Sequence, residues 1–104
     1  MNMQILKEDS NEEMKQFEEI AKELCELRSR KNKDYGNSWK VFGLMGVVYQ
    51  LGSKFIRTWN LLQEDKKPKN EPLEDSFKDL AVYGIMAIQL IRNKETEPLI
   101  NKLK

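Results

Sequence analysis

Residues Asn70–Ile91 read NEPLEDSFKDLAVYGIMAIQLI, and the reading of this stretch decides the fold. Asn70 is a good N-cap, and Pro72 follows near the first helical position, where its missing N–H costs nothing. Glu71, Glu74 and Asp75 suit the positive end of a helix dipole. Leu73, Phe77, Leu80, Ala81, Gly84, Ala87, Ile88 and Ile91 recur at helical spacing. They predict an α-helix that runs to about Arg92 and buries that face. The stripe Glu71, Asp75, Asp79 lies roughly opposite, at four-residue spacing, and continues as Val82, Ile85 and Met86. A helix apolar on both sides in its second half is expected to be covered on both. A covered row of carboxylates then needs a counter-charge, from lysine, arginine or a divalent metal.

Two further helices are expected upstream. Ser10-Asn11-Glu12-Glu13 fits a capping box, which makes residues 1–9 a flexible lead-in and starts a helix that ends near Lys31. Its apolar positions are Met14, Phe17, Ile20, Ala21, Leu24 and Leu27, and Glu19, Glu23, Glu26 and Arg30 fall opposite as a solvated face. Cys25, beside the apolar stripe, reads as a buried structural cysteine. A second helix is expected from Leu44 to about Leu62, with a start anywhere between Val41 and Val47 because Gly43 and Gly46 lower helix propensity; it carries the stripe Leu44, Val48, Leu51, Phe55, Trp59, Leu62, with Gly52 near it as a point of close helix approach. Gln50, Lys54 and Arg57 form a polar and cationic side, which either meets anionic groups or faces water. Between these helices, Asp34-Tyr35-Gly36-Asn37-Ser38-Trp39 is turn-forming. Its two aromatics either cap the helical core or form a stacking wall for a ring-shaped ligand. QEDKKPKN, 63–70, is a helix–helix connection, and Glu97-Pro98-Leu99 opens a short C-terminal helix. The fold expected is all-α, a single domain over residues 1–104.

Composition narrows the chemistry. The 104 residues carry a net charge of +1, which gives no support for a nucleic-acid binder. No run of about 18 apolar residues is present to span a membrane. A single cysteine and the lack of an apolar leader point to a cytoplasmic protein. The absence of histidine removes His-based triads and most zinc sites. Catalysis would rest on carboxylates, Lys, Tyr or an oxygen-ligated metal. Mg²⁺ or Mn²⁺ takes a few carboxylates at about 2.1 Å plus waters and phosphates. Glu71, Asp75 and Asp79 offer one set, and Glu23 with Glu26, or Asp34, a second. Lys31, Lys33, Lys54 and Arg57 can neutralise phosphates, while Tyr35 and Trp39 can stack on a base.

Three segments, KNKDYGNSWK (31–40), KFIR (54–57) and EPLEDSFKDLAVYGIMA (71–87), also resemble a known family. They are similar to the small phage and bacterial nucleotide-modification-associated domain, over about Lys31 to Met86. That pattern, K-x-x-DYG-x-SW, K-x-x-R and E-x-x-x-D-x-x-x-D-L-x-x-Y, adds Tyr83 to the substrate-binding residues. The domain is in turn similar to MazG-like all-α nucleoside triphosphate pyrophosphohydrolases, whose ExxE and ExxD helices hold Mg²⁺. The resemblance implies a MazG-like bundle, a homo-oligomer (dimer or tetramer), and hydrolysis of NTPs or dNTPs to monophosphate and pyrophosphate. Metal would then lie on Glu71, Asp75, Asp79, Glu23 and Glu26, with Asp75, Asp79 and Lys54 catalytic. Two departures from the pattern stand out. Glu23-x-x-Glu26 lies away from the apolar stripe, which leaves Asp34 as its substitute, and the second acidic motif is stretched over Glu71, Asp75 and Asp79. The alternatives are a non-catalytic nucleotide- or host-protein-binding module, and a structural oligomer whose acids only pair with cations.

Overall fold

The structure is a computed structural model that describes the backbone of residues 3–35, 38–63 and 70–103, and the side chains of residues 10–31, 38–63 and 72–102. Three helices carry it: α1 (Met3–Tyr35), α2 (Gly43–Gln63) and α3 (Asn70–Arg92). Short 3-10 turns at Ser38–Lys40 and Leu99–Leu103 flank α2 and close the described chain. Among the described residues there is no strand, and no helix is long and apolar enough to cross a membrane.

α2 and α3 have the ends expected from sequence, to within one residue. α1 does not. It begins at Met3, so the segment expected as a lead-in is helical from there and Ser10 lies inside the helix, not at its cap. Met3–Asp9 contains no Gly or Pro and is mostly strong helix formers. Ser10 and Asn11 cost only a few tenths of a kcal/mol each in a helix interior, too little to stop it.

α2 and α3 pack antiparallel. Thr58 meets Ser76, Lys54 meets Asp79, and the Leu44 N–H donates to the Thr96 carbonyl at 2.9 Å. The Thr58 hydroxyl also donates to the Lys54 carbonyl at 2.7 Å, which leaves Ser76 to donate to Thr58. These two hydroxyls are buried and partner each other, so the polar spot costs little. At the start of α2, Gly43 has φ +62°, and a Cβ there would press on the backbone of Thr96, Glu97 and Pro98. Glycine lets the C-terminal segment cross close over α2, where Ile100 N–H also reaches the Val41 carbonyl at 3.2 Å.

α3 ends in a Schellman cap. Glu95 N–H reaches the Leu90 carbonyl at 2.8 Å and Lys94 N–H the Ile91 carbonyl at 3.2 Å, with Lys94 at φ 57°. A left-handed lysine carries a Cβ penalty that glycine lacks. Lys94→Gly is expected to raise stability by about 1 kcal/mol in a urea melt.

The face that α3 buries differs from expectation. Val82, Met86 and Leu90 are buried, with Ser76 alongside, while Phe77 (52%), Ile88 (49%) and Ile91 (56%) of the expected core stripe stand exposed. Apolar count favoured the wider stripe. The other face wins because its polar members find partners on α1 and α2, Ser76 on Thr58 and Asp79 on two lysines. Among the described side chains of α1 only Leu24 is buried, joined by half-buried Leu27; Met14, Phe17 and Ile20 are exposed. Cys25 is exposed as well, not buried as expected, because α3 covers one turn of α1 around Leu24 and leaves the flanks open.

Candidate functional site

One cleft gathers most of the chemistry. It has a volume of about 510 Å³ and lies between α1, the Ser38–Lys40 turn, α2 and α3. The turn of α3 after the acidic stretch places Asp79 on its wall, four residues before Tyr83. α1 contributes Arg28 and Lys31, one turn apart, and α2 contributes Gln50 and Lys54, also one turn apart. Trp39, Phe42 and Tyr83 supply aromatic surface, and Val47, Val82 and Met86 form the floor, of which all three are buried.

Asp79 is the pivot. Lys31 Nζ donates to its Oδ1 at 3.3 Å, and Lys54 Nζ lies 3.1 Å from Oδ2. Its side chain is 19% exposed. Burial pushes its carboxyl upward, but the hydrogen bond from Lys54 and the charge of Lys31 outweigh this and hold it below the usual carboxylate value. A depressed folded value adds stability above the unfolded carboxylate range, and that stability is lost as pH falls through the lowered value. In an acid titration of thermal stability, the Asp79→Asn protein is therefore expected to lose less stability than wild type below pH 3.8, the ordinary value. Equal acid losses in the two proteins would contradict this.

The cleft is net cationic: Arg28, Lys31 and Lys54 face one carboxylate, Asp79. Arg28 also sits over the Trp39 ring, 5.4 Å from its centroid, with Lys40 Nζ at 5.5 Å. The ring thus holds two cations by cation–π attraction. Trp39 itself lines the cleft with these two cations at its ring.

The other expected residues fall as follows. Arg57 is exposed and outside the cleft lining, one turn beyond Lys54. Asp75 is exposed, one turn before Asp79 on the same side of α3. Glu23 pairs with Lys78 at 3.5 Å, and Glu74 shares that lysine at 3.4 Å. Glu74 first, then Glu23, raises the Lys78 ammonium above its usual value. Glu26 is exposed. The side chains of Lys33, Asp34, Tyr35 and Glu71 lie outside the described residues. Sequence reading had not singled out Arg28, Phe42 or Lys40. Arg28 carried a signal, since it stands four after Leu24 and three before Lys31, at the edge of the buried stripe.

Among the described residues, no three carboxylate or cysteine side chains come together as metal ligands. Glu23 is engaged by Lys78, and Asp79 by two ammonium groups. Glu71, expected to hold metal together with Asp75 and Asp79, has its side chain outside the described residues.

Fold and site together define an all-α domain with a cationic, aromatic-walled cleft between its helices. Residues 31–91 match the sequence profile of the family described as nucleotide modification associated domain 1, and the chain belongs to that family. No curated protein and no solved structure matches it.

Proposed function

We propose that this chain binds a nucleoside or deoxynucleoside triphosphate in the cleft, as part of nucleotide metabolism. The observation that carries this reading is the gathering of Arg28, Lys31 and Lys54, from two helices, in one cleft beside aromatic walls, with Lys31 and Lys54 meeting at the Asp79 carboxylate. Three cations in a part-buried cleft attract a polyanion, and charge-assisted bonds to phosphate are among the stronger polar contacts. Phe42 and Tyr83 supply flat surface for a base. Asp79 occupies Lys31 and Lys54 in the empty protein, much as a phosphate would when bound. Membership of a nucleotide-modification family supports the ligand class.

Asp79 then competes with the ligand for its two lysines. Asp79→Asn is expected to tighten metal-free triphosphate binding about tenfold, a gain of about 1.4 kcal/mol, in a calorimetric titration. Weaker binding in this variant would mean that the carboxylate itself contacts the ligand.

A second reading is metal-dependent hydrolysis to monophosphate and pyrophosphate, as in MazG-like enzymes. It is favoured by Asp75 standing one turn before Asp79 on the same side of α3, with Asp79 on the cleft wall. Two carboxylates plus substrate phosphates are a common Mg²⁺ arrangement. This reading requires Lys31 and Lys54 to leave Asp79 for the phosphates first. A nucleotide panel with Mg²⁺ and Mn²⁺ separates the readings: turnover in wild type, lost in Asp75→Ala and Asp79→Ala, supports hydrolysis. Tight binding with the nucleotide recovered unchanged supports capture alone.

A further inference from the structure

A second cleft, of about 470 Å³, lies beside the first, between α1, the Ser38–Lys40 turn and α3. The two clefts share Arg28, Trp39, Val82 and Met86, so they meet along a common wall and floor. Cys25 and Ser29, one turn apart on α1, face Ile85 and Gln89, one turn apart on α3. The chemistry of this cleft differs from that of its neighbour. Among the described residues no carboxylate lines it, and its floor is apolar, with Leu24, Val82 and Met86 buried and Ile85 half exposed. Its two cations, Arg28 and Lys40, both lie at the Trp39 ring, on the wall side. Lys40 pairs with Glu95 at 2.9 Å, whereas among the described residues no carboxylate pairs with Arg28. A guanidinium therefore stands where the clefts meet, with the aromatic Phe42 and Tyr83 in one and the apolar Leu24 and Ile85 in the other.

We propose that the second cleft is a subsite for a flat, largely apolar group carried on the far end of the phosphate chain. The ligand class is then a nucleoside polyphosphate with an organic group at each end, an occupant that rests on the nucleotide reading of the first cleft. Its base lies against Phe42 and Tyr83, and its phosphates run past Lys31 and Lys54 to Arg28. The group beyond them settles on Leu24 and Ile85 beside Trp39, with the Gln89 amide within the same cleft for a polar edge. Order of charge and apolar surface argues for this occupant. Cations that served only a terminal phosphate would need no apolar floor beyond them, and an apolar ligand alone would have no use for a guanidinium at the entrance. A cleft of a few hundred Å³ with an apolar floor and a few polar groups is the usual form of a small-molecule subsite.

Cys25 makes the proposal testable in place. It is the only thiol of the chain, it is exposed, and of the two clefts it lines the second alone. The experiment is calorimetry on the full chain with ATP, GTP, CTP, UTP and dTTP, then with the γ-phenyl ester of whichever binds tightest. The rate of Cys25 alkylation by N-ethylmaleimide is measured in the complex saturated with each. The ester should bind about tenfold tighter than its parent, the effect of burying roughly 60 Å² of apolar surface. It should do so although esterification removes one ionisable oxygen. It should also slow alkylation several-fold, while the parent triphosphate leaves the rate near that of the empty protein. In Ser29→Trp, an exposed position at which the new ring fills the second cleft from α1, the ester should bind no tighter than its parent. A triphosphate that binds with no gain from the ester overturns the subsite and leaves the nucleotide reading of the first cleft standing. A gain with Cys25 alkylated at an unchanged rate, or a gain undiminished in Ser29→Trp, also overturns it. No binding of any triphosphate or ester overturns both.

Discussion

Lys54→Gln is expected to weaken triphosphate binding by about tenfold to a hundredfold, the loss of one charge-assisted bond worth about 1.5–3 kcal/mol. Lys54 sits one turn from Gln50 on α2 and closes the cleft from the side opposite α1. In the empty protein its ammonium lies 3.1 Å from Asp79, so its charge is already held where a phosphate would lie. Glutamine keeps most of the stem, one bond shorter, and a donor, but removes the charge. Asp79 retains Lys31 at 3.3 Å, so the carboxylate is not left unpaired. The fold should therefore survive, with a melting temperature within a few degrees of wild type, because a part-exposed ion pair adds little stability. Arg57→Gln, one turn further along α2 and outside the cleft, is the matched control and should bind as wild type does. Equal losses at both positions would show that general positive charge, not the cleft, attracts the nucleotide.

Leu90→Ala is expected to cost about 2–5 kcal/mol. Leu90 is the one large side chain among the described residues with no exposed surface. Truncation removes its transfer energy and leaves a cavity that the helices cannot fully close. In a chain of this size each kcal/mol lowers the melting temperature by roughly 4–8 °C, so the loss should be plain in a thermal scan. Gln89→Ala, exposed on the same turn, should shift the melt by little. Its backbone carbonyl still accepts from Asn93, as Leu90's does from Glu95, so both variants keep the helix cap. Similar melting for Leu90→Ala and wild type would mean that α3 packs on another face.

That face is the point at which the sequence stops being informative. The span of α3 was legible because Asn70 and Pro72 mark its start and the 3.6-residue period runs unbroken to Arg92. Periodicity alone could not choose between its two apolar sides. The choice was made by Ser76 and Asp79, whose partners Thr58, Lys54 and Lys31 lie on other helices and far away in the chain. For α1, a local capping signal at Ser10 was outweighed by the helix formers on both sides of it. At the site, the counter-charge to the acidic stripe was left open as lysine, arginine or a divalent metal, and Lys31 and Lys54 stand beside Asp79. Arg28 and Phe42 were not foreseen, because only the docking of α1 against α3 and of the 3-10 turn against α2 brings them to the cleft. The placing of Arg28 and Lys40 at the Trp39 ring is likewise a product of that packing.

The central claim is that the cleft between α1, α2 and α3 takes a nucleotide by its phosphates. The most direct test is calorimetry on the metal-free protein with a nucleoside and its mono-, di- and triphosphates at two salt concentrations. The expected result is affinity that rises with each phosphate, falls with salt, and drops in Lys54→Gln. Equal affinity for nucleoside and triphosphate, or no heat with any of them, would contradict it.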